Sequence, residues 1–499
     1  MTTNHLASLP PVAFARTEIF VPFTLAPGSA APIQPNGFWV GVDGKKDMAH
    51  GVRELLPHFR HLMSGDSEGN RVSARWDRFR LEPQLLSFVR KSLSVHPARL
   101  EDATLPLRLA GIAATVFPHG DGLMGFEFEW QPDANGRLAV TTLADALPVL
   151  RRIQGNHTQR FHPIWTLARP ERPPGGAPTT LLEVTPAGDL HLTDIARALL
   201  SGLTPGTVLD SELGVLHTSV VLDAPPPPGA VETALFHLGH AAPTTFLPPT
   251  KFDKQTRLLE PRGNRRLVLT REGATALSWP ASAASPVHSE AEWAKNRFFG
   301  VYRLLHTHVH AERLAISGLN DRAAEFANKL EDDKLLEQQK DIETLLIEVT
   351  RYTLSLTGED CGGNGDHVAF FAVLRAVHRI PQQRDELRAE IDELRALLRA
   401  VENKRERAAD EAERAFEREE RVFQKRVSVF GFYAVPATIA LGILGANLDC
   451  GGVPHTFTTA EFAGLGLAAA IAGGVLHVWS RLRAKKQEAA PAETRPRAP

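Results

Sequence analysis

Between about Ile33 and about Trp279, apolar and polar positions alternate in short runs bounded by turn residues: 37–44, 122–130, 215–223 and 266–271. Alternation sends successive side chains to opposite faces of a strand, so these runs predict β-structure. Leu190 to Leu203 carries a helical period instead, which makes the region mixed α and β. Loops are expected at 169–178 and at Pro225 to Pro228, where proline removes backbone donors and fixes an extended chain. The region shows no internal repeat.

After the Ala/Ser-rich joint at 281–285 the pattern changes to helix formers with dense charge, predicting helices from Ser289 to about Ser317 and from Leu319 to about Leu356. A turn follows at Gly358 to Asp366. Pro381 suits a first helical turn, and Leu387, Ile391, Leu394, Leu398 and Val401 then repeat at alternating four and three, the spacing of a coiled-coil seam. From there to Asn447 the next proline is Pro436, so one helix of about 100 Å is expected at 1.5 Å per residue.

Two runs are apolar without alternation. Val427 to Leu448 has about 22 uncharged residues and Phe462 to Trp479 roughly 18, lengths that predict a hairpin of membrane-spanning helices with a short outer connection. Arg421, Lys425 and Arg426 precede the first run and Arg481, Arg483, Lys485 and Lys486 follow the second, while the connection has no Lys or Arg. That asymmetry places both termini on the cytoplasmic side of an inner membrane crossed twice. The start, Met-Thr-Thr-Asn-His-Leu, lacks the basic and apolar pattern of a secretory signal.

The expected fold class is an α+β cytoplasmic domain, then long helices forming a coiled-coil stalk, then a two-helix transmembrane hairpin, in a funnel-shaped homo-oligomer. The boundaries are 1–285 for the α/β regulatory domain, 286–426 for the helical and stalk region, 427–448 for the first span, 449–461 for the outer loop, 462–480 for the second span and 481–499 for a basic tail.

Composition changes this picture little. A formal net charge of -2, with 23% charged and 43% hydrophobic residues, is that of an average globular chain and gives no reason to expect nucleic acid as a partner. Cys361 and Cys450 fall on opposite sides of the predicted membrane, so no intrachain disulfide is expected. No nucleophile with a base, phosphate loop or zinc-finger spacing stands out, which argues against an enzyme.

Within the first apolar run, Ser428, Gly431, Val435, Thr438, Gly442 and Gly445 form one stripe of mostly small or hydrogen-bonding residues, ending beside Asn447. Such a stripe serves either tight helix packing or the wall of a water-filled pore shared by several subunits. A ring of Asn447 amides would hold a hydrated cation, and magnesium, which dehydrates reluctantly, suits it. The alternative for Asn447 is a helix cap.

The segment from Pro436 through Thr438, Gly442 and Gly445 to Asn447 resembles the first transmembrane helix of CorA-type divalent cation channels, whose pattern is Pro-x-Thr-x3-Gly-x2-Gly-Met-Asn. The resemblance implies a homopentamer in a lipid membrane, a selectivity filter at Gly445, Ala446 and Asn447, and pore-lining positions at Val435, Thr438 and Gly442. Ala446 stands where Met is usual, and members with other middle residues include zinc transporters of the ZntB type. Asp449 would supply a negative outer mouth. No bound cofactor is implied; the transported cation would be magnesium, with zinc, cobalt or nickel as alternatives.

Weaker candidates accompany these. Glu331, Asp332 and Asp333 form a candidate cytoplasmic metal sensor, weighed against solvated helix acids. His306 and His310 stand one helical turn apart, a transition-metal spacing weighed against a partly exposed helix face. The expected function is divalent cation passage with cytoplasmic gating. The large front region motivates one alternative, a CorA-like channel opened by a small cytoplasmic ligand as a signalling or defence effector. A membrane-tethered coiled-coil scaffold without transport is the other.

Overall fold

The computed structural model describes residues 5–25, 39–42, 76–97, 105–133, 135–154, 163–167, 188–200, 206–208, 213–246, 256–282, 286–329, 342–350 and 361–445, with isolated positions elsewhere. Its strands are β1 (Val12–Leu25), β2 (Trp39–Gly41), β3 (Asp77–Leu81), β4 (Leu93–Pro97), β5 (Leu107–Val116), β6 (Asp121–Trp130), β7 (Pro163–Leu167), β8 (Gly188–Leu190), β9 (Gly206–Val208), β10 (Val215–Leu222), β11 (Arg257–Arg262), β12 (Arg265–Leu269) and β13 (Gly273–Ser278). The helices include α1 (Pro83–Ser92), α2 (Val140–Leu150), α3 (Leu192–Leu200), α4 (Ala230–Gly239), α5 (Val287–Trp293), a π-helical segment (Ala294–Tyr302), α6 (Arg303–Lys329), α7 (Gly365–Val377) and α8 (Ile380–Gly445), besides a 3-10 turn at His5–Ser8 and helical residues at 342–350.

One large sheet runs in the order β11-β12-β13-β10-β1-β6-β5-β3-β2, with β9 also paired to β1, and β4-β7-β8 form a second, small sheet. Neighbours in the large sheet are antiparallel except β10 with β13. At that parallel pair Gly273, with φ 152, brings its backbone so close to Leu216 that a Cβ would strike the Leu216 carbonyl. Both the conformation and the approach require glycine.

The central strand β1 separates two environments. Ile19, Val21 and Phe23 enter the main apolar core with Phe126 and Phe128 of β6, Leu143 and Leu147 of α2, and Leu192 and Leu199 of α3. Burying each such side chain contributes about 1.5–3 kcal/mol, so this layer carries much of the stability. The alternate residues Arg16, Glu18 and Phe20 meet charged and aromatic partners instead: Glu127 and Glu129, Arg303, and the His306 and His310 rings respectively. The π-helical segment and α6 cover this second face, in contact with β10 and β6. A buried ion pair, Arg265 Nε to Glu290 Oε2 at 2.8 Å, ties α5 to β12, with the guanidinium stacked 4.4 Å from the Trp293 ring centroid.

Asn364 caps α7 by accepting from the Asp366 amide, and Arg379, at φ 58, turns the chain into α8 after only a short joint. The first turns of α8 bury Leu387, Ile391 and Leu394. These residues of the expected coiled-coil seam are therefore covered by this chain's own body. From Ala396, which begins the second of two compact units (Met1–Arg395 and Ala396–Pro499), the described side chains of α8 are exposed as far as Phe430.

The expected transmembrane hairpin is corrected. Among the described residues no helix is long and apolar enough to cross a membrane. Among the described residues α8 runs as far as Gly445, and residues 462–480 are described only at scattered positions. Two spanning helices are not seen, and the inner-membrane, two-span localisation and the membrane-transporter description lose that footing.

Candidate functional site

The second face of the sheet holds a cluster of buried histidines. His217 comes from β10, directly opposite Glu18 of β1 in the register. His306 and His310 lie one turn apart on α6, and His378 caps the C-terminus of α7. His306 is fully buried, and His310 and His378 are 4% and 5% exposed. One ring nitrogen from each of His306, His310 and His378 falls within 4.8 Å of the others.

Hydrogen bonds fix the tautomers. The Phe298 carbonyl can only accept, so His217 Nε2, 3.0 Å away, carries a proton and donates it. His217 Nδ1 is then an acceptor, and His306 Nδ1, at 3.1 Å, donates to it. That leaves the lone pair of His306 on Nε2, where His310 Nε2 donates to it at 3.0 Å. A metal taking this place would shift the His310 proton to Nδ1 and free both Nε2 lone pairs. The chain from carbonyl to His217 to His306 is the outer support that metal-binding imidazoles ordinarily have, and it holds one nitrogen ready as a ligand. His378 Nε2 is buried with no hydrogen-bond partner among the described residues, an arrangement that costs about 1–3 kcal/mol unless something else satisfies it.

Aromatic groups wall the site. Phe20 meets the His306 ring edge-on at 5.4 Å and the His310 ring at 6.2 Å, and Phe298 stacks on His217 at 4.1 Å. This enclosure removes water from the imidazolium forms. Burial pulls His217 down to about 3, opposed by its bond to the Phe298 carbonyl and reinforced by the charge of Arg303. Burial likewise takes His378 to about 3, with Arg313 and Arg271 pushing the same way. Burial first, then neighbouring rings and charges, hold His306 and His310 well below the usual histidine range. All four rings are therefore neutral at pH 7, the form a metal requires.

Three imidazoles fit zinc or a similar transition metal, for which Zn–N is about 2.0–2.1 Å, and they leave a fourth position for water or an anion. The donor set is nitrogen only, which disfavours magnesium and calcium. Arg271 and Arg313 act on His378 as positive charges and Glu272 as a negative one, so the local charge favours an anion such as hydroxide in the open position.

His308, the remaining histidine of the sequence triplet, faces elsewhere. It stacks on Trp76 at 5.5 Å and approaches Glu312, whose carboxylate lies 2.9 Å from Arg375 Nε. Burial raises the Glu312 carboxyl to about 7 despite the opposing pull of Arg375 and Arg384.

The predicted site residues fall differently. Val435, Thr438, Gly442 and Gly445 lie on α8, while Ala446, Asn447 and Asp449 lie outside the described residues, as do Glu331, Asp332 and Asp333. The expected partly exposed face at His306 and His310 is buried. No local spacing in the sequence marks His217 or His378, because one sits in an apolar strand and the other ends a helix far along the chain.

Comparisons with known proteins add no assignment. No family model matches the chain, and no curated protein does. Among solved structures, that of the full-length CmaX protein is 16% identical, covering 60% of this chain and 95% of that one, at a TM-score of 0.17.

Proposed function

We propose that the protein is a divalent-metal-responsive protein whose body holds a transition metal on His306, His310 and His378. The observation that carries this reading is the convergence of three buried, neutral imidazoles from two helices, one of them with an unsatisfied nitrogen among the described residues. His378 immediately precedes the Arg379 turn into α8, so a metal joining α6 to this residue would brace the start of the long helix. Occupancy then alters how firmly the first turns of α8 are held, which is a means of regulation.

Titration of the full chain with Zn2+ in a calorimeter, after chelator treatment, tests it. One equivalent should bind, and His310→Gln and His378→Gln should each weaken binding by more than about 10-fold while retaining the parent's far-UV circular dichroism. Equal affinity in parent and both variants would remove the site.

A second reading concerns the far end of α8. Divalent-cation passage of the CorA kind is supported by the match of Pro436, Thr438, Gly442, Gly445 and Asn447 to that family's pattern. Divalent cation flux in vesicles reconstituted with the parent and with Asn447→Ala checks it: a loss in the variant is expected, and equal flux, or none in either, counts against it.

A further inference from the structure

The face that holds the histidines also has a cavity of about 750 Å3 between β1, β3, β5, β6, α1 and the π-helical segment. Six cationic side chains line it: Arg16, Arg78, Arg80, Arg90, Lys295 and Arg303. Among the described residues two carboxylates do so, Glu18 and Glu127. Both are already engaged. Arg303 donates to the two oxygens of Glu18, at 2.5 Å each, and Arg16 donates to Glu127 at 2.5 Å.

Arg90 and Lys295 carry the inference. Arg90 is fixed by donating from Nε and Nη2 to the carbonyls of Leu109 and Ala110, at 2.6 and 2.9 Å. Those bonds orient its guanidinium without neutralising it. Lys295 sits with its ammonium 5.0 Å from the Phe14 ring centroid, a contact that likewise leaves its charge intact. Guanidinium groups present paired donors that match phosphate oxygens, and a positioned one loses little freedom on binding. Leu81, Leu86, Ile112 and Phe299 supply an apolar wall in the same space. The volume lies within the range of roughly 300–1,000 Å3 common to small-molecule sites.

We propose that this cavity binds a small phosphorylated molecule carrying a flat apolar group, the class to which nucleoside monophosphates belong, with phosphate toward Arg90 and Lys295 and the ring against Phe299 and Leu86. Such a ligand would touch the segment that leads to the metal site. Lys295, Asn296, Phe299 and Gly300 line the cavity from the π-helical segment, which runs directly into Arg303 and, one turn later, His306. Interrupted helices of this type often occur at functional sites. Close passage here also needs Gly125, where a Cβ would collide with the Glu18 carboxylate that holds Arg303.

The assignment goes beyond the metal reading and does not depend on it. Its test is calorimetric titration of chelator-treated, metal-free full chain with AMP, with inorganic phosphate and with adenosine as separate probes. AMP should bind at one site per chain, more than about 10-fold tighter than either fragment, and should weaken as salt is added. Arg90→Gln and Lys295→Glu should each lower AMP affinity about 10-fold or more, through loss of a charge-assisted contact, with unfolding midpoints near the parent's. AMP binding no tighter than phosphate or adenosine, or unchanged in both variants, would overturn the assignment. Because no metal is present, neither outcome bears on Zn2+ binding.

Discussion

Within the histidine cluster, His217 is expected to act through His306 rather than as a ligand. Replacing it with Phe keeps a ring against Phe298 but removes the acceptor for His306 Nδ1. Zinc affinity should fall by roughly 10-fold, as for other outer-shell partners, and a smaller loss than that of His310→Gln in the same titration would separate support from ligation. The same rings make stability depend on pH. A histidine whose folded value is depressed contributes stability that is full above its unfolded value and is lost as pH falls through the folded one. For His217 and His378 the window therefore runs from 6.5 down to about 3, with His306 and His310 acting in the same direction.

Glu312 opposes them. Its carboxyl, raised from 4.5 to about 7, favours the protonated form in the fold, so its contribution declines as pH rises across that interval. Four histidines outweigh one carboxyl, and urea midpoints of the metal-free chain should climb from pH 4.5 to 6.5. A flat profile would mean that the rings are not shielded as described. At this scale half of the histidine cluster was legible in the sequence. His306 and His310 are visible as a helical pair, whereas His378 and His217 enter only through tertiary placement.

Among the elements, the strands at 39–41, 121–130, 215–222 and 265–269 coincide with alternating or apolar runs, because their neighbours bury one face or both. The central strand β1 escaped notice. Most of its positions are buried on both sides, which erases the alternation that identifies a half-exposed strand. The expected break between Ser317 and Leu319 is absent, since α6 passes through Gly318. A glycine costs a helix about 1 kcal/mol, and burial of Ala315, Ile316 and Leu319 around it offsets that amount.

The heptad spacing at the start of α8 was legible, but its partner was not: Leu387, Ile391 and Leu394 pack on the body. Ile391→Ala should destabilise the protein by about 2–5 kcal/mol, the usual cost of a large-to-small change in a core. Phe416→Ser, at an exposed position farther along α8, should stay within about 0.5 kcal/mol of the parent. Urea denaturation of both variants checks the contrast, and similar losses would mean that the helix is not anchored through its first turns.

For the whole molecule, hydropathy marks uncharged stretches, and no helix among the described residues is long and apolar enough to carry the membrane hairpin expected from 427–448 and 462–480. Motif spacing pointed to the end of α8, while the best-defined chemistry lies on the polar face of the sheet, assembled from residues as distant as His217 and His378. A ligand that binds only the folded state stabilises it by RT ln(1 + [L]/Kd), about 2.7 kcal/mol at 100 times Kd. Zn2+ should thus raise the unfolding midpoint of the parent and leave that of His378→Gln nearly unchanged, in a thermal melt.

The most direct measurement is X-ray absorption at the zinc edge on the full chain loaded with one equivalent of metal. Three imidazole nitrogens at about 2.0–2.1 Å plus one light-atom ligand are expected. A six-oxygen shell, or a spectrum identical in parent and His310→Gln, would contradict a metal held by the histidine cluster.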